Sequence, residues 1–172
     1  MPSYLKQDLG YSATVAYGAT VIGFIVIAAL VPVFGLLSDR IGRRPVMIFG
    51  CAGFVLFSYP TLMLMGSGHF WAATLAMALL GIFMAAYDGG AMNAAMAELF
   101  PTNIRYGGMS IAYNISVAVF GGITPPAFAA FLISRTGNNL APPAFYVMAA
   151  AAITLVVVLR ARETAREPPL TR

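Results

Sequence analysis

Long apolar runs alternate with short polar breaks along this chain, and the breaks divide it into five segments. A hydrocarbon core about 30 Å thick is crossed by about 20 helical residues, so runs of this length predict membrane-spanning helices. The period-two alternation of a membrane β-barrel is missing from these runs. The sequence therefore predicts an all-α, polytopic membrane helix bundle with about five transmembrane helices. The predicted spans are residues 12–38, 46–65, 70–100, 106–134 and 144–159.

The composition agrees with a membrane-embedded chain. Hydrophobic residues make up 60% and charged residues 9%, against roughly 45–50% and 25% in soluble domains. The lipid bilayer is therefore an expected partner. A net charge of +4 does not favour nucleic acid, because the basic residues are scattered at span ends and form no basic face. The single cysteine, Cys51, offers no framework for a disulfide or a metal.

The cations predict the orientation of the chain. Eight arginines fall on one side of the predicted spans, while Lys6 and Arg135 fall on the other. Cytoplasmic loops carry an excess of Lys and Arg. We therefore expect a multi-pass protein of the cell (inner or plasma) membrane, with the N-terminus outside and the C-terminus in the cytoplasm. The eight are Arg40, Arg43, Arg44, Arg105, Arg160, Arg162, Arg166 and Arg172.

A charged motif, GLLSDRIGRRP, lies between the first two apolar runs. It resembles the loop signature of the major facilitator superfamily, G-x-x-x-D-R-x-G-R-R, at every defining position. A second stretch, from Glu98 to Gly108, resembles the metabolite:H⁺ symporters of that superfamily. The lead MPSYL, residues 113–117, residues 143–146 and the ending at residues 163–165 look most like the proline/glycine-betaine:H⁺ symporters. The residues that match the loop signature are Gly35, Asp39, Arg40, Gly42, Arg43 and Arg44.

The resemblance implies a larger protein. Members of this superfamily have twelve spans in two six-helix halves, so the chain is expected to be the carboxyl-terminal half, with the N-terminal half of the transporter missing. Residues 1–11 are then the outer remnant of a truncated helix, residues 12–162 a five-helix bundle, and residues 163–172 a cytoplasmic tail with little fold of its own.

The motif residues have distinct expected roles. Gly35 allows a neighbouring helix to approach closely, and Gly42 permits a tight turn. Asp39 can pair with Arg43 or Arg44, or face a positive helix N-terminus. The resemblance implies a gating loop that latches the cytoplasmic side; the simpler alternative is that the arginines only anchor the topology.

Two further charges flank a polar turn near the motif. Glu98 and Arg105 are expected on the cytoplasmic side, where Pro101 ends one helix. They are predicted to form a charge pair with each other, or to pair with the Asp39 loop. A solvated surface pair worth under about 1 kcal/mol is the alternative.

Asp88 is the most informative single residue. If residues 70–99 form one helix, Asp88 lies about 15 Å into the membrane at 1.5 Å per residue. A carboxylate there is costly and marks a candidate site for protons or for a cationic substrate. Because Asp-Gly-Gly is also a turn signal, a break at this point is the alternative.

Interrupted helices and aromatic side chains extend this candidate site. Glycine and proline pairs loosen the fourth predicted span, as in helices that line transporter cavities, and aromatic faces can hold a quaternary ammonium. Close packing of small residues is the alternative. The candidate cavity residues are Tyr87, Asp88, Tyr113, Asn114, Gly121, Gly122 and Pro125.

These features predict a transporter and not an enzyme, since no catalytic constellation occurs. The resemblance implies proton-coupled symport of a small solute of the proline/betaine type, with no cofactor beyond the proton gradient. A dicarboxylate or shikimate-like substrate is the alternative within the family. An inactive truncated protein or a small helical subunit is the alternative of another class.

Overall fold

The computed structural model describes residues 5–6, 10–101, 103–123, 131, 141–161 and 163, and over these residues it contains helices and no strand. The predicted all-α class is confirmed. In chain order the helices are α1 (Ala13–Ile41), α2 (Arg43–Met65), α3 (Phe70–Met84), α4 (Asn93–Leu99), α5 (Arg105–Ser116) and α6 (Ala141–Arg160). Two π-helical segments occur, π1 (Ala85–Met92) between α3 and α4 and π2 (Val117–Ile123) after α5.

Helix α1 begins directly after Ser12, which caps it, and ends later than the predicted span. The Ser12 side chain accepts a hydrogen bond from the Val15 N–H, as an N-cap does. The helix then continues to Ile41, so the charged motif is mostly helical and only Gly42 remains as a link. Asp39 and Arg40 therefore lie in the last turn of α1, and Arg43 and Arg44 lie in the first turn of α2, on either side of Gly42.

Helix α2 is the centre of the bundle. It packs against α1, α3, π1 and α6, while α1 packs mainly on α3 and π1. Two glycines allow the close approach of α2: a Cβ at Gly50 would lie 2.8 Å from the Tyr87 Cβ, and one at Gly53 would overlap the Phe83 ring. Three further phenylalanines surround that ring at centroid distances of 5.5–6.1 Å, namely Phe49, Phe54 and Phe57.

The start of the chain packs onto the opposite end of the bundle. Leu5 is fully buried, and the Tyr11 hydroxyl donates to the Met65 carbonyl at 2.8 Å. Leu5 and Tyr11 therefore belong to the core that α1, α2 and α3 share at this end.

Four described helices are long and apolar enough to cross a membrane: Ala13–Ile41, Arg43–Met65, Phe70–Leu99 and Pro143–Arg160. They correspond to the predicted first, second, third and fifth spans. The predicted fourth span, residues 106–134, is helical as far as Ile123 and lies partly outside the described residues. The structure thus agrees with a multi-pass membrane bundle.

Candidate functional site

The first candidate site is the junction where α1 passes into α2. Gly42 alone links the two helices, with φ 110° and ψ 158°, in the region that only glycine enters without strain. Its N–H donates to the Ser38 carbonyl at 3.0 Å and closes α1. The predicted tight turn at Gly42 is confirmed.

Arg43 gathers the polar groups of this junction. Its guanidinium pairs with Asp39 on α1, and Nη2 and Nε reach Glu98 Oε1 at 3.0 and 3.2 Å. Nη1 also donates to the Ser38 hydroxyl at 2.7 Å. The Arg43 side chain is 14% exposed. We call Ser38, Asp39, Arg43 and Glu98 the Arg43 cluster; it joins α1, α2 and α4.

A reciprocal pair of caps joins α2 to the end of α6. The N-cap of α2 is Gly42, which has no side chain to cap the helix, and the Glu163 carboxylate takes that role. It accepts from the backbone N–H groups of Arg43 at 2.8 Å and Arg44 at 3.0 Å. In return, the Arg44 guanidinium donates to the Leu159 carbonyl near the C-terminus of α6. Each charge thus satisfies helix-end groups of the other helix.

Glu163 was missed at the level of sequence, because residues 163–172 were expected to form a tail with little fold. That expectation is wrong for Glu163, which is docked on the junction. The one available signal was a single acidic residue following two arginines at the end of an apolar run. Ser38 was also missed, because a serine at a span end is common and only its contacts make it notable.

The predicted pair of Glu98 and Arg105 does not form among the described residues. Glu98 binds Arg43 instead, which is the alternative pairing with the Asp39 loop. The Arg105 Nε donates to the Phe100 carbonyl at 3.2 Å. The Arg105 side chain therefore bonds to the turn between α4 and α5 and not to Glu98.

Gly35 and Arg40 of the charged motif are not packed against another described helix. A Cβ at Gly35 would meet nothing within 4 Å, so none of the described helices makes the predicted close approach at this glycine. Arg40 is exposed on α1. The described helices therefore leave the space beside Gly35 unfilled and the Arg40 side chain on the surface.

The second candidate site is Asp88, which lies in π1. Residues 70–99 form one uninterrupted helical run, so the prediction of a continuous helix is confirmed and the alternative of a break at Asp-Gly-Gly is wrong. The run accommodates these residues by widening to a π-helix, a feature often found at functional sites. The Asp88 carbonyl accepts from the Asn93 side chain at 2.9 Å, and the residue is half-buried.

Helix α1 presses closely against π1. A Cβ at Gly90 would lie 2.7 Å from the Phe34 Cβ, and one at Gly89 would overlap Val31. The Ser38 hydroxyl lies 2.8 Å from the Gly90 carbonyl. The Arg43 cluster and the π segment that carries Asp88 are therefore in direct contact through Ser38.

The remaining predicted cavity residues that the structure describes are spread over π1, α5 and π2. Tyr87 packs against Gly50 of α2. Tyr113 is 41% exposed on α5, and the Asn114 side chain bonds back to the Ser110 carbonyl at 2.7 Å. Gly121 and Gly122 lie in π2, whose widened turns agree with the predicted loosening of this span. Pro125 lies outside the described residues.

A cavity of about 320 Å³ opens between α1, α2, α3 and α6. Its polar lining is Thr20 and Ser58, and both hydroxyls bond to carbonyls of their own helices. The lining is otherwise apolar, so this cavity has no group that would orient a zwitterion. None of the predicted cavity residues lines it.

Comparison with known proteins finds similar sequences over almost the whole chain. The profile of the Major Facilitator Superfamily matches residues 1–172. The chain is 36% identical to the ectoine/proline transporter of Corynebacterium glutamicum over 99% of its length, and 39% identical to the glycine betaine/proline/ectoine/pipecolic acid transporter of Dickeya dadantii over 98%. It is 36% identical to the proline/betaine transporter of Escherichia coli K12 over 98% of the 172 residues.

These matches cover 33% of each relative, so the chain spans about a third of the length of the curated proteins it matches. No solved structure matches the chain. The relatives are transporters, which agrees with the prediction of a transporter over an enzyme.

Proposed function

Because the chain belongs to the Major Facilitator Superfamily, we propose that it forms the carboxyl-terminal half of a proton-coupled symporter for proline- and betaine-type solutes. The observation that carries the proposal is its 36–39% identity, over almost the whole chain, to transporters named for proline, betaine and ectoine. The rest of the transporter, including the N-terminal half, would make up about two thirds of the length of such a protein and lies outside these 172 residues. The protein would reside in the cell membrane.

The orientation we propose places the Arg43 cluster in the cytoplasm and the Tyr11–Met65 contact outside. The distribution of arginines supports it, since positive charge favours the cytoplasmic side. The C-terminus would then be cytoplasmic as well, with Glu163 at the inner ends of α2 and α6.

The Arg43 cluster would act as a latch on the inner side. Its ion pairs hold the ends of α1, α2 and α4 together, and the open surface at Gly35 and Arg40 would receive a helix of the other half. Alternating access requires such contacts to form and break as the halves rock against each other. A cluster built from hydrogen-bonded charges can do so without disturbing the apolar core.

Asp88 would exchange the coupled proton. A carboxylate within a span is energetically costly, so its presence there marks a candidate functional residue. The position of Asp88 in a π segment supports that role, because such segments are frequent at functional sites. Aromatic faces such as that of Tyr87 would attract a quaternary ammonium group.

A chimera tests this function. The third of the E. coli proline/betaine transporter that matches this chain is replaced by residues 1–172, and uptake of labelled proline, betaine and succinate is measured in transport-deficient cells. We expect uptake of proline and betaine but not of succinate, with loss of uptake when a protonophore collapses the proton gradient. The isolated chain is expected to transport nothing.

A second chimera, carrying the matching third of the C. glutamicum relative, is the control for the exchange itself. If that control transports while the chimera with this chain reaches the membrane and takes up no solute, the proposal is wrong. Uptake that survives the protonophore would contradict the proton coupling.

A further inference from the structure

Ser38 occupies an unusual position between the two candidate sites. It is fully buried, and its hydroxyl has three partners: Arg43 Nη1 at 2.7 Å, the Gly90 carbonyl at 2.8 Å and the Gly35 carbonyl at 2.9 Å. A hydroxyl carries one hydrogen and can accept as well as donate. It therefore accepts from Arg43 and donates to one carbonyl at a time, either on its own helix or across to π1.

The partner across the interface belongs to an uncommon kind of backbone. Gly90 lies in π1, two residues after Asp88. π-Helical segments are rare and are found at positions where a function maintains them. Glycine at this position lets α1 come close enough for the hydroxyl to reach the carbonyl, because a Cβ on Gly90 would lie 2.7 Å from the Phe34 Cβ.

The donation from Arg43 strengthens the bond to Gly90. Hydrogen bonds in a chain polarise one another, so a hydroxyl that accepts from a guanidinium becomes a better donor. When Asp39 and Glu98 keep the guanidinium in place, the Ser38 hydroxyl donates its hydrogen to the Gly90 carbonyl of π1. When those ion pairs break and Arg43 moves away, the hydrogen bond to the Gly90 carbonyl weakens. The hydroxyl can then donate to the Gly35 carbonyl of its own helix instead.

We infer that Ser38 is a positioning residue that couples the Arg43 cluster to the π segment, so that opening of the cluster frees the backbone around Gly90 to change its helical register. The consequence for Asp88 rests on the proposed function, whereas the mechanical coupling does not. The coupling predicts that a change at Arg43, which reaches π1 through the Ser38 hydroxyl, alters the stability of π1.

Hydrogen–deuterium exchange of the purified 172-residue chain in lipid nanodiscs tests the coupling. Ser38→Ala is expected to speed exchange in peptides covering residues 85–95 roughly ten-fold, since loss of a buried bond to a polar group raises the frequency of local opening by that order. Ser58→Ala is the matched control, because this equally buried hydroxyl bonds only to the Phe54 carbonyl of its own helix. Exchange in residues 85–95 that is no faster in Ser38→Ala than in Ser58→Ala would overturn the inference.

A second variant separates coupling from simple loss of packing. Arg43→Gln is expected to speed exchange in residues 85–95 by itself, and the Ser38→Ala/Arg43→Gln double variant is expected to exchange no faster than Ser38→Ala alone. Effects that multiply would mean that the two residues act independently, and would contradict the inference. Should Ser38→Ala fail to fold, Ser38→Cys against Ser58→Cys gives the same comparison with a weak donor in place of the hydroxyl.

The transport readout distinguishes this inference from the proposed function. In the chimera, Ser38→Ala is expected to change the dependence of proline uptake on external pH, while Ser58→Ala leaves it unchanged. Faster exchange of π1 with an unaltered pH dependence would support the coupling and count against the proton role of Asp88. Unaltered exchange with altered uptake would contradict the coupling and leave the proposed function intact.

Discussion

Glu163 Oε1 accepts the backbone N–H of Arg43 at 2.8 Å across 120 positions of the sequence. The second oxygen accepts the Arg44 N–H at 3.0 Å, so one carboxylate caps the N-terminus of α2 from the end of α6. A negative charge at a helix N-terminus also interacts favourably with the helix dipole. This contact fixes the end of α6 to the junction that holds the Arg43 cluster.

Replacing Glu163 is therefore expected to destabilise the chain. Glu163→Ala leaves two N–H groups without their acceptor and should lower the free energy of unfolding by about 0.5–2 kcal/mol, the usual cost of a lost helix cap. Glu163→Gln keeps one acceptor oxygen and should cost less. Unfolding by sodium dodecyl sulfate in mixed micelles, followed by circular dichroism, measures both. Equal stability of Glu163→Ala and the parent chain would contradict the capping role.

Arg43 and Arg40 offer a comparison between neighbouring arginines of one motif. Arg43→Ala removes the partner of Glu98, whose other oxygen, Oε2, is already buried without a hydrogen bond. We expect a loss of about 1.5–3 kcal/mol, the range for hydrogen bonds to charged groups. Arg40→Ala, at an exposed position, should stay within about 0.5 kcal/mol.

The same unfolding titration measures the difference, and Arg43→Lys refines it. A lysine cannot reproduce the forked contact of a guanidinium, so Arg43→Lys should recover only part of the stability. A double-mutant cycle with Glu98→Gln should give a coupling energy clearly above zero. A cost for Arg40→Ala equal to that of Arg43→Ala would mean that the arginines are only topology anchors.

The sequence predicted much of this junction and missed its tertiary contacts for a physical reason. Charged residues cannot stay in the apolar layer, so the positions of the spans and the turn at Gly42 follow from the pattern of residues alone. The choice of Arg43 over Arg44 as the partner of Asp39 depends on where α1 ends and on the conformation of Gly42, across which Arg43 pairs with Asp39. Charge spacing does not reveal how far a helix continues.

Two other features depend on distant parts of the chain. Glu163 acts on backbone groups about 120 positions away, and no local pattern signals such a partner. At Asp88 the local signal of a turn competes with the burial of the apolar residues that follow. Packing against α1 and α2 favours burial, and the helix widens to π1 instead of breaking.

Gly53 and Gly35 give a further matched comparison. A Cβ at Gly53 overlaps the Phe83 ring, which three other phenylalanine rings restrain, so Gly53→Ala should cost about 1–3 kcal/mol through overpacking. Gly35→Ala meets open space, and should be neutral or stabilising by up to about 1 kcal/mol through its higher helix propensity.

Gly35→Ala is expected to have different effects on the stability of the isolated chain and on uptake by the chimera. In the isolated chain, unfolding titrations should show no loss for Gly35→Ala. In the chimera, where a helix of the other half is proposed to pack beside Gly35, the same variant should reduce proline uptake several-fold. Ala29→Gly, at an exposed position on a different face of α1, should not. A loss of stability in the isolated chain would mean that Gly35 serves the packing of this half alone.

Asp88 is expected to govern proton coupling. Asp88→Asn removes the titrating group while it keeps the size of the side chain, so the chimera should lose concentrative uptake of proline but retain exchange of labelled for unlabelled proline, which needs no net proton transfer. Loss of both activities in a variant that reaches the membrane would indicate a structural or substrate-binding role. Unchanged concentrative uptake would contradict any role in coupling.

Accessibility of position 88 tests whether it faces the transport pathway. In a background where the single cysteine is removed by Cys51→Ala, Asp88→Cys is labelled with a membrane-impermeant thiol reagent in intact cells and in inverted vesicles. Because Asp88 lies within a continuous span, we expect slow labelling that depends on the conformation of the transporter, and protection by proline. Gly68→Cys, in the link between α2 and α3, should label rapidly from one side of the membrane in every conformation. Equally rapid, conformation-independent labelling at position 88 would place it in a solvent-exposed turn and contradict its role inside the membrane.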